Sequence, residues 1–344
     1  MSNGMQRLLA AINGEKADRI PIFCNLLDQG ARELGLTPAE YYASGVHVAE
    51  AQLRMREKFG YDNVWSLFYV GREAELLGCK EIRFFNDGPP NVKDFVIKSY
   101  DDIEKLEIPD DITGHPLFAE PLKCLQILKR EVGGKNPICA YITASMCLPA
   151  ILMGMAEWFD LLFTGPTEVK DLLLQKCHEF FVKELKAYRD NGADVIVYSN
   201  PFASTDFVPM DYFLNHSLPW IKKDVDAVGG PSGLVFYCGM ARFNPVIDKV
   251  IKEIGFSAFY CSPKDDFEES CKIIGSRGLT CGVINDLAMV DWDSRQIKAE
   301  VKKIVETGKT TGKFAFGTGV MPAFLTDEKI HAMVQAACEY GAIS

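Results

Sequence analysis

The chain has 344 residues, 48% of them apolar, enough to fill a substantial core in one large domain or two small ones. A net charge of −10 argues against general affinity for nucleic acid or for an anionic membrane, while leaving room for a local basic pocket. Eleven cysteines stand singly, with no Cys-x-x-Cys pair and an odd total, the pattern of a reduced intracellular protein.

Residues 1–12 lack a basic region followed by a long apolar run, and the most apolar stretch, 148–163, is broken by Glu157 and Asp160. That stretch is too short to span a bilayer, so the expectation is a cytoplasmic protein. In chain order, strand-type runs are predicted at 19–24, 62–67, 137–142 and 193–198, then at 233–237, 256–260, 279–284 and 313–316. Helical patterns fall between them at 39–59, 117–132, 167–191, 210–228, 243–254, 265–277 and 294–308. Near-continuous apolar strands alternating with amphipathic helices indicate a parallel sheet buried on both faces. Eight such strands predict an α/β fold of the (β/α)8 TIM-barrel type, one domain over residues 1–344. A doubly wound open sheet is the alternative, without a Gly-x-Gly-x-x-Gly or Walker-type loop to support it.

Segment 80–99 reads differently. Two alternating runs flank Asn86-Asp-Gly-Pro-Pro90, a turn signal, so a β-hairpin is predicted there, either walling one side of the barrel mouth or a plain surface excursion.

In a parallel barrel the C-terminal strand ends converge on one site. Reading just past each predicted strand, the first delivers Asn25 and Asp28, and the second Phe68, Tyr69, Arg72 and Glu73. The third gives Thr143 and Ser145, the fourth Asn200, and the fifth Tyr237 and Cys238. The last three give Cys261 and Ser262, then Asn285 and Asp286, then Thr318. Amides, carboxylates and aromatics dominate this set. His47, His115, His178, His216 and His331 all fall in predicted helices or loops, so a Ser-His-Asp or Cys-His nucleophile has no evident base. Cys238 and Cys261 read equally as small apolar core residues.

The opening Arg7-Leu-Leu-Ala-Ala-Ile-Asn-Gly-Glu-Lys-Ala-Asp-Arg-Ile-Pro21 resembles that of the uroporphyrinogen decarboxylase superfamily. Gly71-Arg-Glu-Ala-Glu-Leu-Leu-Gly78, the hairpin, Gly192-Ala-Asp-Val-Ile-Val197, Gly282-Val-Ile-Asn-Asp286 and Gly317-Thr-Gly-Val-Met-Pro322 are similar to its cobalamin-dependent methyltransferase branch. A decarboxylase of this superfamily carries an Arg-rich segment after the first strand. Here the run is Leu26-Leu-Asp-Gln-Gly-Ala-Arg-Glu33, with one Arg to meet a polycarboxylate. Thiol-methylating members read His-x-Cys-Gly at Gly233-Leu-Val-Phe-Tyr-Cys-Gly239 and use a later Cys to complete a zinc site. Phe236 stands at the His position and Thr318 at the late Cys position, leaving Cys238 alone.

The resemblance therefore implies a methyltransferase that takes its methyl group from methylcobalamin on a partner corrinoid protein. Without a ligand set to deprotonate a thiol, the acceptor expected is N5 of tetrahydrofolate, already a neutral amine, with no catalytic zinc. The resemblance points to a system such as those serving glycine betaine or methoxyaromatic growth. Asn200, Tyr237 and Asn285 are the expected catalytic hydrogen-bonding residues. Asn25, Asp28, Tyr69, Glu73, Phe202, Cys238, Asp286 and Thr318 are the expected binding residues, with a carboxylate gripping the pterin edge and aromatics covering its faces. The alternative is a zinc-dependent methylcobalamin:thiol methyltransferase of the coenzyme M type. A decarboxylase or a non-catalytic corrinoid-binding relative stands behind both. Partners from nucleic acid or membrane are not expected.

Overall fold

The structure, a computed structural model, describes residues 2–86, 88–230, 235–238 and 240–343. Its strands in chain order are β1 (Ile22–Asn25), β2 (Val64–Trp65), β3 (Ile82–Arg83), β4 (Asn91–Val92) and β5 (Ile138–Thr143). They continue with β6 (Val195–Ser199), β7 (Val235–Cys238), β8 (Ala258–Cys261), β9 (Leu279–Ile284) and β10 (Phe314–Val320). Eight are parallel, in the order β1-β10-β9-β8-β7-β6-β5-β2, while β3 and β4 pair antiparallel as a separate hairpin. This order and the surrounding helices define a nearly closed (β/α)8 barrel of TIM type rather than a doubly wound open sheet.

Each strand is apolar on both faces and alternates between two layers. Cys139 and Tyr141 of β5, Val195 and Val197 of β6, and Phe236 and Cys238 of β7 pack into the barrel interior. Ile196, Tyr198 and Tyr237, from the same strands, join the layer beneath the helices. Such period-two burial on both faces is what covering helices require of a parallel sheet.

Side chains complete the seam between β1 and β2. Asp62 donates its backbone N–H to the Ile22 carbonyl at 2.9 Å. Beyond it, Asn63 accepts from the Cys24 amide at 2.9 Å and Trp65 Nε1 donates to the Cys24 carbonyl at 2.8 Å. Gln52 spans the same gap, donating to the Leu26 carbonyl at 2.6 Å and accepting from the Trp65 amide at 3.1 Å. Under this seam, at the N-terminal end of the barrel, buried Asp62 binds Arg7 at 2.8 Å, Arg19 at 2.6 Å and the Ile22 amide at 2.8 Å. The opening motif thus fastens the leading helix Gly4–Asn13 to the first two strands.

The structure corrects several element boundaries. Strand 62–67 shortens to β2, because Asp62 and Asn63 turn their side chains to tie the β1 backbone. Pattern 39–59 divides into Pro38–Tyr42 and Gly45–Phe59, with Thr37 and Glu40 closing a capping box on the first. A Cβ at Gly45 would collide with the Glu120 carbonyl of the neighbouring helix Ala119–Val132, so the break sits at a close helix crossing. Pattern 210–228 carries a π-helical turn, Phe213–Ser217, between the α-turn Met210–Tyr212 and the helix Leu218–Ala227, where Pro219 withholds a backbone donor. The apolar stretch 148–163 becomes two helices meeting at Gly154, and Trp158 and Leu161 bury against the core. Among the described residues no helix is long and apolar enough to cross a membrane. Residues 233 and 234 of the fifth predicted strand, Gly239 of the motif and Asp87 of the hairpin turn lie outside the described residues.

The hairpin packs back on the loop after β2. Gly71 has φ 98° and a Cβ there would lie 2.9 Å from Ile82 Cδ1, so both backbone and space require glycine.

Candidate active site

The inward faces of the strands set the geometry at the C-terminal mouth. Tyr141 Oη, half-buried, lies 3.8 Å from the buried Cys238 Sγ, and the Tyr141 ring packs on Phe68 with centroids 4.9 Å apart. Burial pushes the Cys238 thiol up to about 12, so it presents S–H rather than thiolate at neutral pH. Met240, in the loop after β7, holds φ 47°, a left-handed backbone a methionine seldom adopts. Its Cε comes within 2.6 Å of where a Cβ on Gly319 would stand. The same Gly319 position is 3.0 and 3.2 Å from the Asp286 carboxylate oxygens. Gly317 is likewise closely packed, with Cys281 Sγ 2.6 Å from where its Cβ would stand. Burial pushes the Asp286 carboxyl up to about 6, and the amides of Asp286 and Leu287 temper the rise.

The remaining expected residues distribute unevenly about this mouth. Asn25 is buried at the end of β1; its amide donates to Thr318 Oγ1 at 2.9 Å, and its Oδ1 lacks a partner among the described residues. Thr318 also donates to the Gly319 carbonyl at 2.9 Å, so its hydroxyl ties β10 to β1. Asp28 accepts from Tyr42 Oη at 2.6 Å, and burial raises its pKa. It lines a 480 Å³ cleft between the hairpin and the loop after β10, together with Phe85 and Phe324. Tyr69 packs edge-on against Tyr42 and bonds to Glu75. Phe202 is half-buried among Phe159 and Phe207.

Four expected assignments change character in the structure. Asn200 and Tyr237 are both fully buried, and Asn200 Nδ2 donates to Tyr237 Oη at 3.1 Å. Asn200 Oδ1 faces Cys147 Sγ at 3.3 Å, while the Tyr237 ring lies against Tyr198, Phe243 and Phe256. This pair therefore sits behind the strands, in the helix-facing layer. Tyr237 has the outward parity of its strand, and Asn200, just past β6, bonds into the same layer. Asn285 is exposed and its Oδ1 caps a short turn through the Ala288 amide at 3.0 Å. Glu73 also turns outward, accepting from the Thr143 amide at 2.7 Å beside the buried Glu184.

Tyr141, Met240, Gly317 and Gly319 were not among the expected site residues. Inward alternation of 139, 141 and 143 is a usable signal for Tyr141, and Gly317 and Gly319 stand in the quoted Gly-Thr-Gly run; nothing local marks Met240. A second buried network centres on Asp224. Fully buried Asp224 accepts from Ser145 N, Ser145 Oγ and Tyr198 Oη at 3.0, 2.9 and 2.9 Å, and meets His178 Nδ1 at 2.8 Å. It pins the loop after β5, and gives buried His178 a structural partner.

The donor set does not fit a tetrahedral zinc. Phe236 is fully buried against Phe23 and Tyr260, Thr318 offers a hydroxyl already engaged, and Cys238 stands alone as a thiol. Among the described residues no group of three or more His, Cys, Asp or Glu side chains is placed to hold a metal ion.

A parallel barrel whose interior side chains meet towards its C-terminal mouth defines an α/β-barrel protein. The chain belongs to the uroporphyrinogen decarboxylase (URO-D) family, whose model matches residues 3–340. It is 24% identical over 343 residues to the methylcobamide:CoM methyltransferase MtbA of Methanosarcina mazei, covering 97% of each chain. To the protein of the same name from Methanosarcina acetivorans it is 30% identical over 231 residues, 65% of this chain and 66% of that one. A solved structure described as a methyltransferase from Methanosarcina mazei shares the fold, with TM-score 0.86, 21% identity and coverage of 99% and 100% of the two chains.

Proposed function

We propose that this protein transfers a methyl group from a methylated corrinoid, carried by a partner protein, to a small nucleophile held at the barrel mouth. The observation that carries this is the likeness over 97% of both chains to a methylcobamide:CoM methyltransferase. The decarboxylase reading loses support from Arg32, whose guanidinium is occupied by the Ala323 and Leu325 carbonyls and by Asp327. No other arginine follows in that segment to meet a polycarboxylate.

The names of the relatives support a thiol acceptor of the coenzyme M type better than a pterin. The donor set at the mouth favours tetrahydrofolate as the second reading, since a neutral amine needs no metal to become nucleophilic. The Asp28 cleft adds to that second reading, with a carboxylate between Phe85 and Phe324 to meet a flat donor-bearing ring. Under either, the cobalt–carbon bond supplies the transferable methyl group, and the chain supplies positioning, exclusion of water and a path for one proton.

The test follows methylcobalamin absorbance in the dark without oxygen, with 2-mercaptoethanesulfonate in one arm and tetrahydrofolate in the other. Zinc content of the same preparation is measured alongside. Enzyme-dependent loss in the thiol arm supports the first acceptor, and loss confined to the tetrahydrofolate arm supports the second. No loss in either arm, with folded protein, leaves the non-catalytic relative.

A further inference from the structure

We propose that Asp28 and the cleft that it lines form a recognition site for a planar ring edge carrying two adjacent N–H donors, as in an aminopyrimidinone such as a pterin. The assignment rests on the tetrahydrofolate reading for its use in catalysis, while the recognition itself is a matter of binding. The cleft measures 480 Å³, and its lining brings Phe85 and Asn86 of the hairpin together with Ala323 and Phe324 of the loop after β10. Asp28 lines it from the loop after β1, with only 7% of the residue exposed.

Helix capping does not account for the Asp28 carboxylate. It stands at the N-cap of the helix Gln29–Leu34, where an Asp ordinarily accepts from helix amides, yet its side chain caps none of them. Tyr42 Oη donates to Oδ1 at 2.6 Å, and among the described residues no donor is set against Oδ2. Tyr42 is itself buried and held edge-on by Tyr41 and Tyr69. A point cation is met by a carboxylate in any orientation. Fixing one oxygen sets the plane of the group, which matters to a ligand with two donors in line, and Oδ1 keeps a second lone pair for it. The other charged groups on the cleft are committed elsewhere. Arg32 donates to the Ala323 and Leu325 carbonyls and to Asp327, and Glu40 accepts from the Thr37 amide. A buried carboxylate oxygen without a donor is costly, and a ligand N–H would remove that cost. The wall opposite the hairpin is preformed. Gln29 donates to the Met321 and Pro322 carbonyls at 2.9 and 2.8 Å, so the helix after Asp28 and the loop bearing Phe324 are fastened together. Phe324, 56% exposed, is thus an apolar ring on a fixed backbone, as a flat ligand needs for stacking. Of the other carboxylates expected at a ring edge, Glu73 is taken up by the Thr143 amide and Asp286 by its own amide and that of Leu287.

The test titrates pterin and lumazine against wild type, Asp28→Asn and Phe324→Ala, following ligand fluorescence. In lumazine an oxygen replaces the amino group of pterin, so the donor pair becomes one donor beside one acceptor. Wild type is expected to prefer pterin by about 10-fold or more. Asp28→Asn offers one acceptor beside one donor. It should lose pterin by about 10-fold or more and reverse the preference towards lumazine, a change of selectivity that a merely structural role would not produce. Phe324→Ala should weaken both ligands about fivefold and leave the preference as it was. Folded wild type that binds the two alike, or binds neither, overturns the proposal, and so does an Asp28→Asn that still prefers pterin. Tetramethylammonium is the third probe: tighter binding than pterin, lost in Asp28→Asn, would mean a site for a point cation and would also overturn it. Methyl transfer to tetrahydrofolate separates this site from the reading it rests on. Pterin preference through Asp28 without such transfer keeps the site and removes that acceptor. Transfer to tetrahydrofolate with kcat/KM unchanged in Asp28→Asn keeps the acceptor and removes the site.

Discussion

Asn200 and Tyr237 illustrate how one residue of parity decides a role. Their hydrogen bond at 3.1 Å lies behind the barrel wall, among aromatic rings. Tyr237→Phe is therefore expected to leave kcat within about threefold of wild type and to cost about 1 kcal/mol of stability, the usual net worth of such a bond. Steady-state kinetics and a denaturant midpoint check both, and a large kcat loss with an unchanged midpoint would put the hydroxyl back in the chemistry. Asp224 demands more. Replacing it with Asn sets an amide donor against Ser145 and Tyr198, which already donate to it, and is expected to cost on the order of 3 kcal/mol. Residues of this kind were hard to read from sequence, because Asp224 meets Ser145, 79 positions away, only after the fold forms. Cys238 and Asp286 were legible as strand-end residues. The direction of each side chain was not, since a shift of one position reverses the face.

At the scale of elements, hydrophobic runs showed the barrel strands and the amphipathic stretches showed most of the long helices. Their limits were less visible where tertiary contact intervened: Gly45 opens a helix against a neighbouring backbone, and a π-helical turn precedes Pro219. The helix Thr167–Asp190 carries a further element-level device. Its Glu184 lies fully buried beside Glu73, and burial followed by the neighbouring Glu73 charge pushes the Glu184 pKa well up. Glu73 is also raised by burial, against which the Thr143 bonds act. A carboxyl raised in the folded state favours folding least once the unfolded chain has lost that proton. Stability should thus fall as pH rises from the ordinary glutamate range towards the folded-state value. Glu184→Gln, which keeps the neutral shape, should gain on wild type in chemical denaturation as pH rises above the ordinary glutamate range. A stability difference independent of pH would mean that the pair is ionised in the folded state.

For the whole molecule, the two ends of the barrel carry different duties. The lower end holds Asp62 with Arg7 and Arg19, and the upper end gathers Cys238, Tyr141, Met240 and Asp286. Asp62→Ala should cost about 3–5 kcal/mol, because it leaves two guanidinium groups without their buried partner, yet acceptor KM should stay unchanged. The mouth bears the chemical claim. Transfer of a 13C-methyl group from labelled methylcobalamin, in the dark and without oxygen, tests it most directly when small-molecule products are read by NMR. The expected result is enzyme-dependent label on the sulfur of 2-mercaptoethanesulfonate or on N5 of tetrahydrofolate. Label that stays wholly on cobalt with both acceptors, while the protein remains folded, would contradict it.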